Sequence, residues 1–155
     1  MGSPRNTAAP SRVVCTAVLA LGIACGSAAS AQGPAADDRL YRAWGGKAGI
    51  RAVMEDFVPR LVADPRIGHF FSDDGRERLI ALLTDQLCQL SGGPCVYDGA
   101  PMAEVHASMG ITKGDFNALV ALLQRSMQAQ RIPFSAQNGM LARLAPLHRE
   151  IIDPK

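Results

Sequence analysis

The sequence predicts an all-α domain, and three observations support this fold class. Apolar residues recur at every third or fourth position along several segments, which is the period of an amphipathic helix. No segment alternates apolar and polar residues for long enough to favour a strand. The chain has 155 residues, 48% hydrophobic and 19% charged, as expected of one globular domain. This length excludes a (β/α)8 barrel and a two-domain dinucleotide enzyme.

The N-terminal residues are typical of a secretory signal peptide. The first twelve residues contain two arginines and no acid, an uninterrupted run of apolar and small residues follows at 13–25, and the small residues at 29–31 fit a signal peptidase site. The apolar run is shorter than the roughly 20 residues that a membrane-spanning helix needs. We therefore predict a signal peptide over residues 1–31, removed on export to a periplasm. A lipoprotein signal at Cys25 is the alternative.

The charge balance gives no indication of a strongly anionic partner. The whole chain has 16 Lys and Arg against 14 Asp and Glu, a net charge of +2. Two of the arginines lie in the predicted signal peptide, so the remaining chain is neutral and has no basic surplus for nucleic acid or anionic lipid. The sequence also lacks the dinucleotide-binding, P-loop, zinc-protease and serine-hydrolase motifs. We expect neither a nucleic-acid partner nor a membrane span.

Two cysteines remain after removal of the signal peptide, and we predict that they form a disulfide. Cys88 and Cys95 make an even count, and a periplasm is an oxidising compartment. The residues between them include Gly-Gly-Pro, which can turn the chain sharply. The alternative, two separate buried thiols, would apply in a reducing compartment.

The first half of the exported chain contains three expected helices. Asp37-Asp38 can begin a short helix that ends at Gly45-Gly46. A longer helix is expected over 47–63, because Asp64-Pro65 ends it, and a third over 76–90. The apolar stripes of the two longer helices are Ile50, Val53, Met54, Phe57, Val58 and Leu61 in one and Leu79, Leu82, Leu83, Leu87 and Leu90 in the other.

The second half predicts a loop followed by three further helices. Residues 95–100 form the loop, and a very short helix from Pro101 to Gly110 carries Val105 and His106. Thr112, with Asp115 three residues later, resembles a capping box for a helix to about Arg131. A last helix is expected to be capped by Ser135, with an inward row that consists of Met140, Leu144, Leu147 and Ile151. The loose loop before the short helix indicates a segment that lies across a bound object.

An ordered series of short motifs resembles one known family. The motifs are Leu40-Tyr41, Gly45-Gly46, Asp56-Phe57, Ala63-Asp64-Pro65-Arg66-Ile67, Phe70-Phe71, Gly92-Gly93-Pro94, Tyr97-Asp98-Gly99, Val105-His106 and Gly110-Ile111-Thr112. In this order they are similar to the group 1 truncated haemoglobins. The resemblance implies a globin-like, two-over-two helical sandwich around one haem b. The haem would be non-covalent, since the sequence has no C-x-x-C-H motif. The globin domain would span 39–152, with 32–38 as an N-terminal extension.

The resemblance also implies which residues hold the haem. His106 stands where the family has its iron ligand, with Val105 beside it, and neutral imidazole leaves the sixth iron position open for a diatomic gas. Phe71 matches the residue that packs on the haem face, next to Phe70, and Phe57 is a further contact. His69 is assigned to the surface or to the propionate side, and His148 to a structural or solvent-facing position.

The far side of the predicted haem departs from the family pattern. Val58 stands where the family commonly has a tyrosine, and Leu83 stands where many members have a glutamine, with Leu79 one turn earlier. Gln86 is the polar residue left on that stripe, and it faces either the haem or solvent. The expected distal pocket is therefore Val58, Leu79, Leu83 and Gln86, and it is poor in hydrogen-bond donors.

These residues favour a protein that reversibly binds O2, NO or CO as a carrier or sensor. A haem enzyme, either an NO dioxygenase or a peroxidase-like protein, is the alternative, although the missing tyrosine argues against dioxygenation. A haem-free interaction module of the periplasm is a third hypothesis. A small diatomic ligand is the expected partner, together with an unidentified reductase, and the sequence leaves the oligomeric state open.

Overall fold

Helices of very different lengths make up residues 37–152, the part of the chain that the computed structural model describes. The seven α-helices are α1 (Arg39–Ala43), α2 (Gly46–Ala63), α3 (Arg76–Leu90), α4 (Met102–Val105), α5 (Lys113–Ala129), α6 (Phe134–Leu144) and α7 (His148–Ile151). Two 3-10 turns lie at Gly68–Phe70 and Ala145–Leu147. No strand occurs within 37–152, so the all-α prediction is confirmed. The predicted signal peptide lies outside the described residues.

Helix α2 is the centre of the hydrophobic core. It packs against α3 on one side and α5 on another, and it buries six apolar side chains: Ile50, Val53, Met54, Phe57, Val58 and Leu61. These are the residues of the stripe expected for this helix, and α5 adds Leu122, Leu123 and Met127 to the same core. Burying a side chain of this size contributes roughly 1.5–3 kcal/mol. The α2 stripe therefore holds the long helices together.

The corner between α1 and α2 joins two distant parts of the chain. Gly45 and Gly46 have φ values of 77° and 69°, in the left-handed region where glycine is favoured. They turn the chain from one helix directly into the next. Trp44, which is 1% exposed, donates its indole N–H to the carbonyl of Ala136 at 3.1 Å. This bond ties the N-terminal corner to α6, 92 residues away.

The ends of α5 and α6 differ in how well the sequence predicts them. At the start of α5, the N–H of Asp115 donates to Thr112 Oγ1 at 3.2 Å and the N–H of Thr112 donates to Asp115 Oδ2 at 2.9 Å, as the capping box requires. The prediction that Ser135 caps the last helix is wrong, since α6 begins at Phe134 directly after Pro133.

The expected last helix is divided into two short ones. A 3-10 turn at Ala145–Leu147 separates α6 from α7, and Pro146 lies within it. Proline has no backbone N–H to donate to the α-helical ladder, so the ladder is interrupted at Pro146. The break therefore follows from a residue that the apolar periodicity does not register.

A disulfide joins the end of α3 to the loop that follows it. The sulfurs of Cys88 and Cys95 are bonded, with the two Cα atoms 5.7 Å apart, as predicted. Cys88 is fully buried. A Cβ atom on Gly93 would lie 2.6 Å from the Tyr41 ring and 2.7 Å from the Cys88 sulfur, so the bridged loop packs closely against α1. Among the described residues, no helix is both long and apolar enough to cross a membrane.

We expect loss of the disulfide to lower the free energy of unfolding. The Cys88→Ala, Cys95→Ala double variant should lose up to about 2.5 kcal/mol, because an eight-residue closed loop restricts the unfolded chain by about that amount. Urea denaturation of the exported protein measures this loss. A reductant should destabilise wild type similarly and leave the double variant unchanged. Two reactive thiols in the unreduced, denatured wild type would contradict the bridge.

Candidate functional site

A large apolar cavity of about 620 Å³ lies between the long helices and the short helix α4. Its volume is within the range of ligand pockets in proteins, about 300–1,000 Å³. Carbon-rich side chains from α2, α3, α5, α6 and α7 form most of its walls. Such a space favours a large, flat or bulky apolar ligand over a small hydrated one.

One wall of the cavity consists of α2 and α3. Helix α2 contributes Met54, Phe57 and Leu61, which are spaced as successive turns of one helix face. Helix α3 contributes Leu79, Leu82, Leu83, Gln86 and Leu87. The structure thus places three predicted site residues, Phe57, Leu79 and Leu83, along the same cavity.

Val58, a residue of the predicted distal pocket, lies in the hydrophobic core. It is fully buried in the hydrophobic core and is not among the residues that line the cavity. The α2 residues that reach the cavity follow the row Met54, Phe57, Leu61, and Val58 is turned about 100° from Phe57 around the helix. The role of Val58 in the distal pocket stays a prediction, and the structure places its side chain in the core beside this row.

Gln86 faces the cavity, which settles the two orientations left open by the sequence. Its side chain is 9% exposed and lines the cavity. The amide Nε2 donates to the sulfur of Met102 at 3.4 Å. A thioether is a weak acceptor, so this contact satisfies the amide poorly. Gln86 remains a polar group on an otherwise aliphatic stretch of wall.

His106 lines the cavity directly after α4. Its Nδ1 lies 2.8 Å from the backbone carbonyl of Met102. A carbonyl can only accept a hydrogen bond, so Nδ1 is the donor in this contact, and the tautomer that makes it has its lone pair on Nε2. This is the arrangement of an imidazole ready to bind a metal. Val105 also lines the cavity and is 46% exposed.

The other two histidines lie outside the main cavity. His69 is exposed, and its ring centroid is 4.0 Å from that of Phe70, which lines the cavity together with Phe71. His148 is half-buried and meets the ring of Phe116 edge-on at 4.8 Å. Neither histidine lines the cavity, whereas His106 does. Within 37–152, no three His, Cys, Asp or Glu side chains are grouped as a metal site.

Tyr97 and Met102 belong to the site although the sequence did not single them out as contacts. Tyr97 lines the cavity from the loop after the disulfide, where its N–H donates to Gln89 Oε1 at 2.6 Å and its hydroxyl donates to the carbonyl of Ala100 at 3.2 Å. Burial, and to a lesser degree the charge of Asp98, raises the pKa of the Tyr97 phenol. The sequence feature that could have identified Tyr97 as a site residue is the motif Tyr97-Asp98-Gly99.

The cavity wall is nearly free of charge. Its described residues include no lysine or arginine, and Asp115 is the acidic residue among them. The hydroxyl and then the N–H of Thr112 donate to the Asp115 carboxylate and lower its pKa, so that group is ionised at neutral pH. Any charged part of a ligand must therefore leave the wall and meet the protein at its rim.

Comparison with known proteins finds globins that are similar in sequence to this chain. The family model for bacterial-like globins matches residues 39–153. A group 1 truncated haemoglobin of Mycolicibacterium paratuberculosis is 32% identical over 112 residues, which are 72% of this chain and 82% of that protein. One of Tetrahymena thermophila is 30% identical over 89 residues, 57% of this chain and 74% of that protein.

Solved structures agree with the fold. The truncated haemoglobin of Tetrahymena pyriformis in its Fe(III) form superposes with a TM-score of 0.70 at 24% identity and covers 74% of this chain and 98% of its own. The haemoglobin of Chloroflexus aurantiacus gives a TM-score of 0.65 at 25% identity and covers the same shares of the two chains.

Proposed function

The chain belongs to the bacterial-like globin family, among the group 1 truncated haemoglobins, and we propose that its cavity holds one non-covalent haem b with the iron on His106. The observation that carries the proposal is the free Nε2 lone pair of His106 at the edge of a cavity of about 620 Å³ with almost no charge. A flat apolar ring system fits those walls.

The residues around the cavity divide the work of holding this group. His106 would bind the iron. The Met102 carbonyl keeps its ring oriented and makes Nε2 a more basic metal ligand. Phe57, Phe70, Phe71, Leu79, Leu83 and Val105 would cover the ring and exclude water. When bound, haem would supply an iron that His106 holds and that can bind a diatomic gas.

We propose that the protein binds O2, NO or CO reversibly, as a carrier or sensor. Leu79 and Leu83 form an aliphatic stretch of the α3 wall, and Gln86 already donates to Met102, whose helix leads into His106. This stretch of wall therefore offers few free hydrogen-bond donors to a gas molecule. An unidentified reductase would keep the iron ferrous.

We further propose that the protein works in a periplasm after removal of residues 1–31. The disulfide between Cys88 and Cys95 supports this location, because such bonds persist in oxidising compartments. Mass measurement of the exported protein tests it, with Gln32 expected as the first residue. A mature chain that keeps the first 31 residues would contradict it.

Replacement of His106 tests the iron ligand. His106→Ala should weaken haem binding by more than tenfold, since loss of a residue that merely orients a metal ligand already costs 10- to 100-fold. Titration with haemin, followed at the Soret band, measures the affinity. His148→Ala is the matched control and should bind haem as wild type does, because His148 does not line the cavity. An unchanged Soret spectrum in His106→Ala would exclude this ligand.

Wild-type protein that shows no Soret band with haemin would favour the third hypothesis, a haem-free interaction module. Turnover of NO in the presence of O2 and excess reductant, well above that of free haem, would favour the dioxygenase.

The aliphatic wall predicts a difference between O2 and CO. Leu83→Gln adds a hydrogen-bond donor to the cavity and should slow O2 dissociation roughly five- to tenfold, the effect of one net hydrogen bond of about 1 kcal/mol or somewhat more. CO gains little charge on binding, so its dissociation should barely change. Stopped-flow absorbance measures both rates. Ala81→Gln, which adds the same amide at an exposed position of α3, is the control.

Gln86→Leu provides the reverse test. The Gln86 amide is directed to Met102, so we expect its loss to change O2 dissociation less than twofold. If wild type instead retains O2 tightly and Gln86→Leu releases it, then Gln86 is the donor and the apolar reading of the wall is wrong.

A further inference from the structure

The sulfur of Met102 lies at the contact between α3 and α4. Gln86 Nε2 donates to it at 3.4 Å, and within residues 37–152 this is the side-chain hydrogen bond that joins α4 to a long helix. Gln86 is 9% exposed, and a thioether is a weak acceptor. A buried amide N–H is therefore directed at a sulfur atom that satisfies it poorly.

The same residue positions the histidine of the site. The backbone carbonyl of Met102 accepts the N–H of His106 at 3.2 Å and lies 2.8 Å from His106 Nδ1. Helix α4 has only four residues, too few for its own hydrogen bonds to stabilise it. Contacts of the Met102 side chain therefore affect how firmly the segment that carries His106 is held.

Met102 is accessible to a small oxidant dissolved in water. Met54, Met127 and Met140 are at most 1% exposed, whereas Met102 and Met109 are half-buried and line the cavity. Accessible thioethers are oxidised to sulfoxides. Of these two methionines, Met102 has a hydrogen-bond donor at its sulfur. It is therefore the accessible methionine at which an added oxygen would meet a partner.

Oxidation by a hydroperoxide transfers one oxygen atom to this sulfur. A sulfur lone pair attacks the peroxide oxygen, an S–O bond forms and the O–O bond breaks. The departing oxygen takes up the proton of the transferred one, so hydrogen peroxide gives the sulfoxide and water. Sulfur loses an electron pair, and the peroxide gains it. The sulfoxide is polar, and its oxygen accepts a hydrogen bond far better than a thioether does.

We propose that Met102 is a reversible oxidation site for hydroperoxides, and that its sulfoxide oxygen accepts the Gln86 amide and fixes α4 more firmly to α3. The methionine side chain has three rotatable bonds, so the oxygen can meet the Gln86 N–H without movement of either helix. The sulfoxide and its bond to Gln86 do not depend on haem. The consequence for the iron ligand rests on the proposed function: oxidation would hold His106 in a narrower range of positions.

Hydrogen exchange of α4 tests the proposal. The exported protein is treated with hydrogen peroxide in the presence of cyanide, which occupies the iron of any bound haem, and peptide mass spectrometry locates the added oxygen. The amides of residues 102–109 should exchange about fivefold more slowly after oxidation, the factor that one net hydrogen bond provides. Methionine sulfoxide reductases should restore the initial rate, because they reverse this modification.

Variants of both partners separate this bond from other effects of oxidation. Met109→Leu should show the same slowing as wild type, and Met102→Leu, oxidised at Met109 alone, should show none. Gln86→Leu should still form the Met102 sulfoxide but lose the slowing, because the donor is absent. Gln86→Met, an unbranched apolar replacement, takes its place if leucine disturbs folding.

The proposal is overturned if peroxide oxidises Met109 and leaves Met102 unchanged. It is also overturned if exchange of α4 stays the same or becomes faster once Met102 is oxidised, or if the Gln86 variants show the same slowing as wild type. Absence of a Soret band in wild type with haemin would instead overturn the proposed function, and the exchange measurement would still decide the oxidation site.

Discussion

The hydrogen bond between His106 Nδ1 and the carbonyl of Met102 is the interaction on which the site depends. It orients the ring and favours the tautomer whose lone pair is on Nε2, the atom that can bind a metal. Because Met102 lies one helical turn before His106, the bond is local and needs no other part of the fold. The cavity, in contrast, depends on contacts between distant parts of the chain. The core must join α2, α3 and α5 and still leave an apolar space between them. The long helices form the space, and one short turn positions the histidine that we propose as the iron ligand.

Two contacts away from His106 stabilise the arrangement of the cavity walls. The Trp44 indole joins the N-terminal corner to α6, and the disulfide joins the end of α3 to the loop that carries Tyr97. Neither touches His106 directly. They limit how far the walls can move apart, and so they protect a cavity whose own lining contributes little specific bonding. The surface ion pairs, by contrast, are exposed and add little to stability.

The sequence predicts most of the fold because its signals are local. Helix α3 begins and ends where expected, since a turn and a Gly-Gly break bound a clear apolar stripe. The capping box of α5 is read directly from Thr112 and Asp115. The break at Pro146 was missed because apolar periodicity continues through it. The sequence does not decide whether Phe57 or Val58 faces the cavity, because neighbouring helix residues point about 100° apart and packing selects one of them. Tyr97 lies in a loop, where no period locates a side chain.

The segment from Cys95 to Thr112 has a consequence for the entropy of cofactor binding. It contains one four-residue helix, α4, and little other regular structure, yet a covalent bond holds its first residue and a capping box its last. A chain pinned at both ends has fewer conformations to lose than a free one. Ordering it over a ligand therefore costs less, and more of the contact energy remains as affinity. The segment from Cys95 to Thr112, although mostly irregular, is therefore partly preorganised to cover a ligand in the cavity.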